Sequence, residues 1–345
     1  MQTATRALFS AYLNRQAELN GVPVATVHGE KAFTVDPTVQ QRLIDKQQES
    51  SAFLQAINVV TVPEMKAAKL GLGVSGPIAS RTNTATTDRA TKDPSALDSD
   101  DFECKQTNSD THLTYAKLDM WAKYPDFQVR IRNQIVRRQA LDRIMIGFNG
   151  VSAAVATDMA TYPLLQDVNI GWLQKMRATA PTHVLATGDA EAGKIIIAPG
   201  ADGDYANLDA LVYDARYNLM PSWAREDTEL VAIVGSDLLH DKYFPMVNVD
   251  HDPTEQLARD IIMSKKQLGG LPAARVPFFP AGTVLITRYD NLSIYEQEGK
   301  RRRTIVDNAK RDRVENFESS NDAYVVEDYD YGVLIEKIQI GPTAE

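Results

Sequence analysis

The chain has 345 residues, 43% hydrophobic and 24% charged, enough apolar material for a core in roughly two domains, which excludes a wholly disordered protein. With 37 basic against 46 acidic residues, the net charge of -9 excludes a broad cationic surface wrapped around nucleic acid. No apolar run reaches the about 18–20 residues that span a bilayer, the first thirty residues lack a signal-peptide pattern, and the lone Cys104 excludes an internal disulfide and a cysteine-based zinc site, so the composition reads as soluble and cytoplasmic.

In chain order, Leu8, Phe9, Tyr12, Leu13 and Leu19 predict a helix over 3–20 closed by Gly21 and Pro23. Residues 24–32 read as a polar, irregular linker, so the helix should be removable without cutting into a packed unit. Val39, Leu43, Ile44, Phe53, Leu54 and Ile57 predict a second helix over 38–57. From Gly71 to Asp101 threonine and serine crowd the chain and large apolar residues nearly vanish. With strands expected over 69–74 and 102–115, this predicts a long two-stranded arm ordered by a neighbouring subunit. The most regular helix covers 126–148. Phe127, Ile131, Ile135, Leu141, Ile144, Met145 and Phe148 mark one face, and Arg130, Arg137, Arg138 and Arg143 are expected elsewhere on it. Pro125 and Asp126 start it, Gly147 and Gly150 end it, and its length is roughly 35 Å.

The remaining pattern predicts a helix over 170–178, a hairpin over 183–198, a helix over 205–223, a buried strand over 230–234, and helices over 236–243 and 255–267. Strands are expected over 274–278, 283–287, 292–296, 324–327 and 333–340. The class is α+β.

No catalytic constellation emerges, and neither a cofactor nor a metal is expected. Gly71, Gly73 and Gly76 match a dinucleotide-binding glycine pattern, but Pro77 and a threonine-rich run follow where a helix N-terminus is needed. A strand root is the favoured reading. The five histidines show no metal-ligand spacing, and Asp202 with Asp204 falls short of a calcium loop. The densest basic patch, Lys300 to Arg303 with Lys310, Arg311 and Arg313, stands just before Glu315, Glu318, Asp322, Glu327, Asp328 and Asp330. Without interleaved aromatics it reads as charge pairing, within or between identical subunits, ahead of nucleic-acid binding.

The segments Ala17–Gly21, Gln48–Ser51, Phe127–Asn133, Gly147–Gly150, Gly171–Lys175, Asp241–Pro245, Asn291–Tyr295 and Tyr324–Tyr329, in this order along nearly the whole chain, resemble the major capsid protein of tailed bacteriophages, peduovirus type. The resemblance implies the capsid fold shared with herpesvirus shell floors and encapsulins. It implies an N-terminal helix and linker over 1–33 that are removed on maturation by cleavage around Lys31, Ala32, Phe33 and Thr34, an arm over 34–63 and an extended loop over 64–118. It further implies a peripheral domain over 119–204 and 291–345 and an axial domain over 205–290. Hexamers and pentamers would close an icosahedral shell around double-stranded DNA, assembled in the host bacterial cytoplasm with a scaffolding protein carrying protease activity and a portal at one vertex. The intersubunit contacts expected from the charge patch are Arg301, Arg302, Arg303, Arg311, Arg313, Glu315 and Glu318. A soluble enzyme of unknown chemistry, favoured only by the glycine pattern, is the alternative.

Overall fold

The computed structural model describes residues 1–29, 32–74, 79–91, 95–121, 124, 127–198, 200, 203–247 and 266–341. Helix α1 (Thr3–Asn20) ends as its sequence predicts. Gly21 adopts φ 62°, which L side chains resist, and the N–H groups of Gly21 and Val22 close the last turn on Glu18 and Ala17. The expected linker instead begins with a short helix, α2 (Val24–Val27), and continues into strand β1 (Phe33–Thr34). Asp36 caps α3 (Pro37–Glu49) by accepting from the Thr38 N–H at 2.8 Å, with Pro37 at the first position. The single helix expected over 38–57 is broken, because Ser50 ends α3 and α4 (Ala52–Ala56) starts afresh after Ser51.

Strand β2 (Asn58–Val62) is followed by a two-stranded arm, β3 (Lys66–Val74) antiparallel to β4 (Ser95–Glu103), in register from Lys66–Glu103 to Val74–Ser95. β5 (Lys105–Asn108), β6 (Thr111–Thr114) and α5 (Tyr115–Trp121) lead to α6 (Phe127–Asn149), the long helix expected from the pattern. Next come α7 (Trp172–Thr179), β7 (Val184–Leu185), β8 (Ile195–Ile197), α8 (Leu208–Leu219), β9 (Val231–Val234) and α9 (Ser236–Val247). After them lie β10 (Gln267–Leu268), β11 (Leu271–Ala274), β12 (Val284–Thr287), β13 (Leu292–Gln297), β14 (Arg302–Asn308), β15 (Arg313–Val326), β16 (Val333–Ile335) and β17 (Ile338–Ile340). The helix expected over 255–267 lies almost wholly outside the described residues. The strand expected over 274–278 is displaced, ending at Ala274 as β11.

Two sheets flank α6 and α7. One runs β1-β14-β15-β13-β2, with β5 and β6 also paired to β15. The other runs β10-β11-β9-β12-β16-β7. Its central strands are apolar on both faces. Ala232, Val234, Val284, Ile286, Val333 and Ile335 pack on Leu211, Val212 and Ala215 of α8. Ile233, Leu285 and Leu334 face a second core built on Trp172, Phe148, Ile144 and Phe53, which is why these strands read as unbroken apolar runs. The sheet takes β7 and β16 from outside 205–290, so continuous packing crosses both expected limits of the axial domain.

The hairpin expected over 183–198 does not form. β7 pairs in parallel with β16, and β8 in parallel with β17. Asp204 folds the intervening turn from outside, its carboxylate accepting the N–H groups of Ala190 and Ile196 at 2.7 Å each. α6 meets α7 closely because Gly147 has no side chain: a Cβ there would lie 2.2 Å from the Trp172 ring. The Trp172 indole N–H donates to the Ser293 carbonyl at 3.0 Å, tying α7 to β13.

Candidate assembly surfaces and a buried charge network

Residues 318, 320, 322, 324 and 326 of β15 alternate onto one face of its sheet, as do 292, 294 and 296 of β13. At one end this face is apolar (Tyr324, Val326, Leu292, Ile294) and meets Ile144 and Phe148 of α6. At the other end it is charged. Glu318, Ser320, Asp322 and Glu296 are all buried there, together with Arg143, Gln139, Gln40, Gln47 and Arg301. Arg143 was expected away from the packed face of its helix. It lies instead in the core, because two carboxylates there compensate its desolvation.

The network is explicit. Arg143 Nη2 donates to Glu296 and, at 3.1 Å, to Asp322. Arg301 donates to Glu318 at 2.6 Å and to Glu296 at 3.1 Å. Gln40 Nε2 adds a bond to Glu296 at 2.9 Å, and Gln47 donates to Gln139 at 2.8 Å. Helix α3 is thereby tied to β13 and α6. Burial opposes ionisation of Glu296 and Glu318, but the neighbouring guanidiniums outweigh it and hold both carboxyls below their usual range. At Asp322 burial wins, helped by the charge of Glu296, and its carboxyl is pushed up. Burial, with Asp322 and Glu103 nearby, also pushes the Cys104 thiol up to about 12 and makes it a poor nucleophile.

The residues expected to face a neighbouring subunit divide into three groups. Arg301 and Glu318 are buried and bonded to each other, so their charges are neutralised within one chain and their assignment as intersubunit contacts is corrected. Arg303 and Arg313 also have internal partners. Arg303 donates to Tyr12 at 2.9 Å, Gln16 at 3.2 Å and Asn316 at 2.7 Å, while Arg313 pairs with Glu315 at 2.6 Å. Arg302 and Arg311 are exposed.

Residues 28–29 and 33–35 meet the outer edge of β14. The His28 ring nitrogen lies 3.1 Å from the Ile305 carbonyl, and the Gly29 carbonyl accepts from the Thr304 hydroxyl at 2.9 Å. Phe33 and Thr34 pair antiparallel with Arg303 and Arg302, and the Val35 N–H donates to the Arg301 carbonyl at 2.9 Å. Of the residues expected around a cleavage point, Ala32 is exposed, Phe33 and Thr34 form β1, and Lys31 lies outside the described residues. Leu13 and Ala17 of α1 are buried with Val27, Phe33, Val35 and Ile305. The apolar face of α1, expected to need a foreign partner, thus has one within the chain in β1 and β14. Gly71 and Gly73 sit within β3, opposite Asp98 and Ala96, and Gly76 lies outside the described residues. A paired strand at Gly71 and Gly73 is not the strand-to-helix turn that cradles a pyrophosphate.

A family model for the phage major capsid protein, P2 family, matches residues 8–338. The chain is 53% identical over 345 residues to the capsid protein of Escherichia phage P2, covering 99% of this chain and 96% of that one. It is 42% identical to the major capsid protein of Serratia phage KSP20, covering 98% and 97%. Among solved structures, a chain of the satellite phage P4 procapsid, which includes a size determination protein, superposes with a TM-score of 0.81 at 49% identity over 100% of both chains. A capsid chain of an empty GTA particle shares the fold alone, with a TM-score of 0.50 at 17% identity over 84% of this chain and 90% of that one.

Proposed function

The chain belongs to the P2 family of phage major capsid proteins, and from that membership we propose how its parts serve the shell. It is a structural protein, not an enzyme, and it forms an icosahedral phage capsid. The observation that carries this is similarity along the whole length, in sequence to capsid proteins and in backbone to a procapsid chain.

The finer assignments are our own reading. Hexamers and pentamers of the chain enclose double-stranded DNA, assembly takes place in the host cytoplasm with a scaffolding protein and protease, and a portal occupies one vertex. Residues 64–118 act as the extended loop: at its base Phe102 packs with Val325 and β5 and β6 pair with β15, and beyond it β3 and β4 pair with each other and need a neighbour to pack on. Residues 34–63 act as the arm, residues 119–204 and 291–345 as the peripheral domain, and residues 205–290 as the axial domain. Arg302 and Arg311 pair with acidic groups of adjacent copies. Cleavage near residues 31–34 removes α1 and α2. Intact-mass measurement on DNA-filled heads tests the trimming: a chain starting between about Lys31 and Asp36 is expected, and an intact N-terminus refutes it. Negative-stain images of the purified particle test the shell, and an absence of closed particles refutes that part.

A further inference from the structure

The loop between α6 and α7 gathers exposed apolar residues in one place. Residues 151–164 are all exposed, in an unbroken run of fourteen. They include Val151, Val155, Met159, Tyr162 and Leu164, and Val155 is as open as in a free peptide, at 108% relative exposure. Between Val151 and Ile170 stand only two charged residues, Asp158 and Asp167, in a chain that is 24% charged. Both turn inward. The Asp158 carboxylate accepts the Ala160 N–H at 2.9 Å and the Thr161 hydroxyl at 2.7 Å, and buried Asp167 accepts the Asp158 N–H at 2.6 Å.

The loop is also held in one shape. Val151 and Ser152 donate to the Gln166 carbonyl at 2.7 and 3.1 Å, Ala154 donates to the Asp167 carbonyl at 2.8 Å, and Gly150 and Gly171 close its base. Asn169 fastens it to the Asp322 carbonyl at 2.8 Å. An apolar surface fixed by backbone bonds loses little entropy on docking, and an exposed patch of this kind marks a protein contact. Having no cation, it offers nothing to a phosphate backbone.

We propose that residues 151–164 dock on a second copy of this chain within the shell, which rests on the shell-building function above. The size of the patch selects that occupant. Fourteen residues are about half of the 20–30 per side that a stable stand-alone complex uses. A contact that small holds when other contacts already fix the partners side by side, as repeated copies in a closed assembly do.

The chain itself supplies the control for a test, since its lone cysteine, Cys104, is buried. In Val155→Cys the new thiol should react freely with a charged maleimide in dissociated full-length protein, and at least about tenfold more slowly in closed particles. Equal rates in both states would overturn the proposal. So would protection that disappears when a co-purifying second protein is stripped from an intact shell, because the occupant would then be that protein. Met159→Glu should melt with the wild type yet give markedly fewer closed particles; an unchanged particle yield counts against the docking. If the wild-type chain itself never closes into particles, the shell-building function fails. Closed wild-type particles with freely labelled Val155→Cys refute the loop assignment alone.

Discussion

Arg143→Met is a sharp test of the buried network, because methionine keeps much of the side chain's bulk and removes its charge. In the wild type, Arg143 and Arg301 stand bonded among Glu296, Glu318 and Asp322. After the substitution, Glu296 keeps Arg301 and Gln40, but the Asp322 carboxylate is left with the Ser320 hydroxyl, at 2.8 Å, as its remaining bonded partner. Removing one member of a buried ion cluster costs about 3–5 kcal/mol. At roughly 2 °C per kcal/mol for a chain of this size, the melting temperature of the unassembled protein should fall by about 6–10 °C at pH 7. Asp322, already pushed up by burial, rises further without its guanidinium. A carboxyl raised on folding stabilises at low pH, and that contribution is lost as pH rises through its folded value. The deficit of Arg143→Met should therefore be larger at pH 8 than at pH 5, and adding Asp322→Asn should recover about 1–3 kcal/mol at pH 7. Calorimetry of the single and double variants measures both. A loss below about 1 kcal/mol, with no recovery in the double variant, would refute a network in which Arg143 neutralises buried carboxylates.

Gly147→Ala should lower the melting temperature although alanine favours helix by about 1 kcal/mol, because its Cβ would sit 2.2 Å from the Trp172 ring; an unchanged melt would mean that α7 can back away. Glu296 and Glu318 lie below their usual range, so their contribution is present above about pH 4.3 and fades as pH falls through their folded values. Melting temperatures followed from pH 6 to pH 3 should drop more steeply for the wild type than for Glu318→Gln. Deleting residues 2–20 should leave a folded body that binds a hydrophobic dye more strongly, since Phe33, Val35 and Ile305 lose their cover; no increase in dye fluorescence contradicts the packing. Arg302→Glu with Arg311→Glu should leave the melt in place and reduce particle yield on a sizing column, and a normal yield would show that these two cations are not assembly contacts.

The long helix and its C-terminal end were legible because α6 carries apolar residues at helical spacing and stops in glycines, while Pro125 and Asp126, expected to start it, lie outside the described residues. β9 and β12 were legible as short apolar runs. β14 and most of β15 were not. Their alternation is real, but charge stands where apolar residues are expected: Glu318, Ser320 and Asp322 point inward and Phe317 outward. A period-2 search for apolar residues sees nothing in such a strand, and Lys300 to Arg303 stands out as a surface patch instead. Arg143 misleads for the same reason, since its burial depends on partners 153 and 179 positions away. The pairings of β7 and β8 with distant strands are long-range choices with no local signature. The loop at 151–164 was visible as a gap between helices, and its lack of charge became informative only once every residue in it proved exposed.

Strand β1 has one more consequence. β14 carries the two-residue β1 on its outer margin, and His28 with the stretch 33–35 covers its outward-facing carbonyl and amide groups. That stretch works as a stopper. While it is seated, the margin cannot recruit another strand, and Phe33 and Val35 fill the hollow beside Ile305. Once it is drawn out, the same margin offers unsatisfied backbone groups next to an empty apolar recess, a combination that captures an incoming extended segment. Losing a piece of itself would thus make this subunit stickier, and the departure of a few residues could be answered by the arrival of others.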